Sequence, residues 1–462
     1  MIIDSLRQRH HTLKYQSFQY QLNPKNETQL SIQFEFLLEP DIIFSPTLNI
    51  SGIDSNNLKN LSAEFLDLLI FQLGLAELPS YWKAACPQEI VIEAGFLDKK
   101  QINWWHNLFI QGLGEFFYTN QIDFTQPNFL KISSTAKPTT AQPAPPLADH
   151  YQTPYLIPVG GGKDSGLTLS LLTQSSEIYH TLILEPASPA ATRLAIQSSA
   201  KKQITVHRTI CPTLLKLNKQ NYLNGHTPFS AYLAFLSTLI AHLEGHKQIL
   251  LANESSANQP NLKYKKIEVN HQWSKSYEFE KSFREYANLY LGSKNKQAEY
   301  LSFLRPLNEL QIAAKFAQYQ NYLTQFRSCN VGQKQDMWCG QCAKCTFVFL
   351  MLFPFVEEEI LTTKIFSQNL FNNVSLLPTF KALADSSIDK PLDCVGTDLE
   401  VQAALQLSIE KYIRNNQQLP LVLKELAKTL PKDNLSNQLL EAWNNHHFLD
   451  KKLVKILTKS SS

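Results

Sequence analysis

Six consecutive residues, Gly160-Gly161-Gly162-Lys163-Asp164-Ser165, combine the parts of a phosphate cradle. Glycines let a backbone turn sharply and approach a polyanion, and a helix opening behind them presents free N–H groups and the positive end of its dipole. Lys163 adds a mobile positive charge and Ser165 a hydroxyl, while Asp164 could orient the loop or take part in Mg²⁺ binding. The spacing is neither GxxxxGK[ST] nor GxGxxG, so an ordinary P-loop and a dinucleotide site are both disfavoured.

Four of the seven cysteines crowd together as Cys329-x9-Cys339-x2-Cys342-x2-Cys345. These spacings suit a tetrahedral thiolate site, with Zn²⁺ as the expected ion and a structural rather than catalytic role. An Fe–S centre, redox use or buried free thiols are the alternatives. Arg327, Lys334 and Lys344 are near enough in sequence to offset thiolate charge or bind phosphate. Cys86, Cys211 and Cys394 stand alone and are read as small buried residues.

Proton carriers gather in one segment, where His271, Lys275, Glu278 and Glu280 fall within ten residues. His226 is a further candidate. Arg305 and Arg327 have the planar fork that binds phosphates and carboxylates in pairs, so they are expected on substrate, although interdomain salt bridges would use them equally well.

The elements needed to hold these groups are legible. After residue 150, strands and helices alternate: YLIPV from Tyr155, a helix from about Asp164, HTLILE from His180, a helix from about Thr192, QITVHRTI from Gln203, a helix from Pro228, and QILLAN from Gln248. Such alternation implies a doubly wound parallel sheet that binds ligands at the carboxyl ends of its strands. Glu185, Asn253 and Glu254 stand at two such ends and are expected near the nucleotide. The Pro228 helix has Thr227 as its expected N-cap and proline as its first residue.

SSTAKPTTAQPAPPLADH, residues 133–150, describes an extended linker. Before it, alternating apolar residues and then helical spacing predict an α+β domain over 1–132. The remainder divides into a domain built around the phosphate loop over 151–295, a helical region with the cysteine cluster over 296–384, and a helical appendage over 385–462 of low information.

Bulk properties narrow the class. A chain of 462 residues, 44% hydrophobic and 18% charged, describes a soluble protein of two to four domains. Its longest apolar run, FVFLMLFPFV from Phe347, is half a membrane span and contains Pro354, so no membrane partner is expected. MIIDSLRQRHHTLKY has no apolar core or small-residue cleavage site, which predicts a cytoplasmic protein beginning here. A net charge of +3, unclustered, argues against nucleic acid. Oligomeric state is left open.

The glycine loop resembles the SGGxDS signature of the PP-loop ATP pyrophosphatases, with Gly160 where that class has serine. The resemblance implies a PP-loop fold and cleavage of ATP between its α and β phosphates. A pairing of GGxDS with CGxCxxC also occurs in the shorter 7-cyano-7-deazaguanine synthases. PQEIVIEAGFLDKKQ from Pro87, GLGEFFY from Gly112, VGGGKDS from Val159, LANESSAN from Leu251, VNHQWSKSYEFE from Val269, LRPLNEL from Leu304, FRSCN from Phe326 and MWCGQCAKC to Cys345 are spread over more than half of the chain. Their combination is similar to that of the ATP-dependent UDP-N-acetylmuramoyl-L-alanyl-L-glutamate epimerases of peptidoglycan synthesis.

That resemblance implies inversion of a terminal L-glutamate to D-glutamate on a nucleotide-sugar peptide, with ATP and Mg²⁺. ATP has a chemical reason there. Removing an α proton beside an ionised carboxylate concentrates two charges on one small centre, and adenylation removes one of them. The competing readings are a PP-loop ligase or thiolase acting on a nucleobase or tRNA, and a non-catalytic ATP sensor that would form no AMP.

Overall fold

The computed structural model describes residues 2–23, 26–138, 146, 148–292, 298–431, 433 and 435–459. Its strands are β1 (Thr12–Asn23), β2 (Asn26–Leu38), β3 (Ile42–Phe44), β4 (Thr47–Ser51), β5 (Glu89–Ile92), β6 (Lys131–Ser134), β7 (Thr153–Pro158), β8 (Tyr179–Glu185), β9 (Lys202–Thr209), β10 (His246–Leu251), β11 (Leu262–Tyr264), β12 (Ile267–Val269) and β13 (Glu299–Ser302). Among the described residues, eleven strands form one sheet in the order β13-β10-β7-β8-β9-β4-β2-β1-β5-β6, with β3 beside β2. β11 and β12 make a separate hairpin.

The strands from β13 to β9 are all parallel, as the strand and helix alternation predicts. Both faces are covered, and residue parity in β7 shows how. Leu156 joins the core beneath helices Ala63–Trp82, Lys99–Gly112, Phe229–Glu244 and Tyr277–Tyr290. Its neighbours Tyr155 and Ile157 join the opposite core, with helices Lys163–Gln174, Glu309–Phe316, Ala343–Leu352 and Asp398–Arg414. A period of two therefore feeds two cores from one strand.

The division expected at 133–150 does not divide the sheet. β4 pairs antiparallel with β9, placing Ile50 opposite Val206, and both are fully buried. Each such side chain contributes about 1.5–3 kcal/mol on burial. Trp105 stacks on Phe235 with ring centres 4.9 Å apart, and the Tyr286 hydroxyl donates to Gln72 at 2.7 Å and accepts from Trp105 at 3.0 Å. The N-terminal helices and the helices of the parallel half thus share one interior. Residues 139–145 and 147 of the expected linker lie outside the described residues.

Three further expectations change. The helix predicted from Pro228 begins at Phe229, with Pro228 at the cap position and no side-chain cap from Thr227. It stops at Gly245, whose φ of +68° and approach to the His150 carbonyl leave no room for a Cβ. The region expected to be helical from 296 opens on β13, whose four residues show too little alternation to be read as a strand. Among the described residues no helix is long and apolar enough to cross a membrane.

Candidate active site at the strand switch point

β7 lies between β8 and β10, so the chain leaves it toward one side of the sheet and later returns on the other. This is the reversal at which open α/β sheets form a crevice beyond their strand ends. Two segments meet there: Val159–Ser165 after β7 and Ala252–Ser256 after β10.

The glycine loop is held by Ser165 from within and by the Arg327 backbone from outside. Gly160 N–H donates to Ser165 Oγ at 3.0 Å, and Gly161 C=O accepts from Arg327 N–H at 2.9 Å. Gly161 has φ +85°, and a Cβ there would lie 2.8 Å from the backbone nitrogen of Ala191. Gly162 precedes helix Lys163–Gln174 in an extended conformation with no side chain capping it. A Cβ at Gly160 would meet only Ser165 Oγ at 3.7 Å, so the serine of the PP-loop signature would fit at this position.

Lys163 is 2% exposed and bonded to Asp164 and Glu309, so its charge is fixed rather than mobile. Burial works against its ammonium, but the two carboxylates outweigh that and raise its pKa. Burial pushes Glu309 up to about 8. Burial also raises Glu254, with Asp164 adding to the effect, which places two carboxylates within electrostatic reach at the switch point.

Beyond them lies a second group. Lys275 Nζ donates to Cys394 Sγ at 3.3 Å, and Lys344 Nζ bonds the Cys394 carbonyl. His271 Nδ1 bonds Glu115, while the His226 ring sits 4.5 Å away with its Nδ1 3.6 Å from the same carboxylate. Burial and the His271 charge lower His226 to about 4. Burial alone would lower His271 as well, yet Cys394 and Glu115 lift it to about 9. Burial would raise the Cys394 thiol, but Lys275 and His271 pull it down to about 6. Opposed shifts in adjacent groups are the usual physical signature of acid–base chemistry.

Family models for the MurL N-terminal domain and the MurL C-terminal domain match residues 7–303 and 325–440. The chain belongs to the MurL family. Three relatives named UDP-N-acetyl-alpha-D-muramoyl-L-alanyl-L-glutamate epimerase agree. The one from Xanthomonas oryzae pv. oryzae is 33% identical over 71% of each chain, and that from Micromonospora sp. is 33% identical over 72% of each. A third, from Salinispora tropica, is 32% identical over 71% of this chain and 70% of its own. Membership makes the chain an isomerase. The MurL N-terminal match ends just past β13, so it spans the whole sheet.

Within this MurL fold the sequence-derived candidates separate. Gly160, Gly161, Gly162, Lys163, Asp164, Ser165, Glu254, His271 and Lys275 come together. Glu278 does not: it is exposed and lines a separate 520 Å³ cavity with Asn258, Trp273 and His446. Glu185 points outward, 45% exposed, with His207 3.4 Å away. Asn253 is buried and donates to Ser302 Oγ at 3.1 Å, tying β10 to β13. Arg305, expected on substrate, is wholly buried. It pairs with Glu280 at 3.2 Å and donates to the Glu254 and Lys275 carbonyls, so it braces both segments from behind. Arg327 borders the glycine loop, where its Nη1 serves the Thr324 and Phe326 carbonyls and its buried Nε has no partner.

Sequence reasoning missed Cys394, which was read as an inert buried residue, and Glu115. The appendage that carries Cys394 also supplies Glu400, which accepts from Glu309 N–H at 2.8 Å and bonds Ser256. A lone cysteine in an uninformative tail gives no sign of where the chain will place it. Glu115 lay inside GLGEFFY, a segment matched by resemblance without an assigned role.

The four clustered sulfurs lie within 4.8 Å of one another, with Cys329 and Cys342 at 4.0 Å and Cys339 and Cys345 at 3.7 Å. Backbone N–H groups of Gly332, Cys339, Gln341, Cys342 and Cys345 point at these sulfurs from 3.1 to 3.5 Å. Such donors suit thiolate rather than thiol. Cys342 also caps helix Ala343–Leu352, fixing Lys344 in its first turn.

Proposed function

We propose that the chain uses ATP and Mg²⁺ to convert the terminal L-glutamate of UDP-N-acetylmuramoyl-L-alanyl-L-glutamate into D-glutamate through an acyl-adenylate. The observation that carries this reading is the uncapped helix start behind Gly160–Gly162, adjoining the His271, Lys275 and Cys394 group at one strand switch point. A phosphate cradle alone fits many enzymes. Set against groups with opposed proton affinities, it fits an enzyme that first makes an acyl phosphate anhydride and then moves a proton beside it.

The glycine loop and the Lys163 helix would hold the phosphates. A 290 Å³ cavity against the loop, lined by Val159, Gly160, Pro186, Ser188 and Phe229 among others, offers an apolar seat for adenine. Asp164 and Glu254 would hold Mg²⁺, since burial and the Asp164 charge both work against ionised Glu254 and a divalent cation would offset them. When bound, the ion would supply charge to the departing pyrophosphate. The activated α carbon then loses its proton to one carrier and regains one on the opposite face, and water releases AMP.

The cysteine cluster fits Zn²⁺, because tetrahedral bonds of about 2.3 Å separate sulfurs by about 3.8 Å. Its role is structural. It fixes Arg327 and Ser328 against the glycine loop and Lys344 against Cys394. None of the seven cysteines is in a disulfide, which fits a reducing compartment.

Incubation with ATP, Mg²⁺ and the UDP-linked L-glutamyl substrate in D₂O tests the proposal. AMP, pyrophosphate and α-deuterated D-glutamate after hydrolysis are expected together. ADP, or AMP with retained L-glutamate, would overturn it.

A further inference from the structure

We propose that Cys394 is the base that takes the α proton from one epimer of the activated glutamyl group, an inference that rests on the adenylate reading above. The residue sits in the loop before helix Asp398–Arg414 and is partly exposed, between the glycine-loop carboxylates and the Glu115 pair of histidines. Lys275 donates to its sulfur at 3.3 Å, and Lys344 anchors its carbonyl. The same Lys275 feels Glu254 and Asp164, which places the thiol next to the phosphate crevice.

The other groups facing it are poorly suited to accept a proton at neutral pH. His271 and Lys275 are both held in their protonated forms. Asp164 and Glu309 are both bonded to Lys163, Glu254 is buried, and Asp393 accepts from the Asn330 amide. His226 stays neutral but lies behind His271, against Glu115. Cys394 alone among them combines a partly exposed residue with two cationic neighbours that keep its thiol ionised before substrate arrives.

The step is balanced. The Cα–H bond breaks, an S–H bond forms, and the electron pair passes into the acyl carbonyl of the adenylate. The proton that completes inversion comes from a group on the opposite face.

Full-length Cys394→Ser and Cys394→Ala proteins test this with ATP, Mg²⁺ and each epimer of the substrate in D₂O. Substrate-dependent pyrophosphate release should persist while α-deuterium exchange from one epimer falls at least about 100-fold, the range expected for loss of a general base. Exchange that survives in both variants, or joint loss of pyrophosphate release and exchange in the serine variant, would overturn the assignment. In wild-type protein, iodoacetamide labelling of Cys394 followed by peptide mass should reach half its maximum near pH 6, and a midpoint near 9 would overturn it too. Absence of pyrophosphate release from wild-type protein would instead sink the adenylate reading.

Discussion

His271 and Cys394 make the pH behaviour of the site a direct consequence of two side chains. The imidazolium is held to about 9 against an ordinary 6.5, and the thiolate persists down to about 6 against an ordinary 9.0. Both charges coexist between those limits, so kcat/KM should rise through about pH 6 and fall above about pH 9. The signs for stability follow. His271 contributes stability that is complete below 6.5 and is lost as pH rises through about 9, whereas Cys394 contributes stability that is complete above 9.0 and is lost as pH falls through about 6. Equilibrium unfolding of wild type and Cys394→Ala across pH 5–10 measures the thiol's share. At the glycine loop, Gly161→Ala should cost about 1–3 kcal/mol, because the alanine is forced to positive φ against Ala191. Gly160→Ser should change stability by less than about 0.5 kcal/mol, since the space is open. The loop was legible in the sequence because its chemistry is contiguous. Cys394 and Glu115 were not, since each acts only through partners 50 or more positions away.

The helix that begins at Cys342 links the sulfur cluster to the site. Its first turn carries Lys344 to the Cys394 carbonyl, and residues 347–352 are fully buried, so its direction is fixed by packing as well as by the sulfurs. Purified protein should carry one zinc per chain. Cys342→Ser should lose that zinc, lower stability by at least about 2 kcal/mol and depress turnover through the misplaced Lys344. Elemental analysis with thermal unfolding checks this, and unchanged stability after zinc loss would contradict it. The parallel strands and their helices were readable from periodicity to within a few residues. β13 was not, because four residues give too short a pattern, and for Arg305 the sequence leaves substrate and salt bridge equally open, the structure showing the salt bridge with Glu280.

Across the molecule, one sheet carries both the antiparallel N-terminal strands and the parallel set, and the two cores lie on its opposite faces. A Pro-rich stretch suggested separate domains, but composition says nothing of whether strands on either side of it pair. A chain lacking residues 1–132 should therefore expose the β9 edge and the Phe235 face and aggregate, as sedimentation of the truncated protein would show. The central claim concerns the carboxylate of the substrate becoming an adenylate. Its most direct test is to label both oxygens of the L-glutamyl α-carboxylate with ¹⁸O, run the reaction with ATP, and weigh the AMP. One ¹⁸O in each AMP, matched by inverted glutamate, is the predicted result. AMP free of label, or release of ADP and phosphate in its place, would contradict the account.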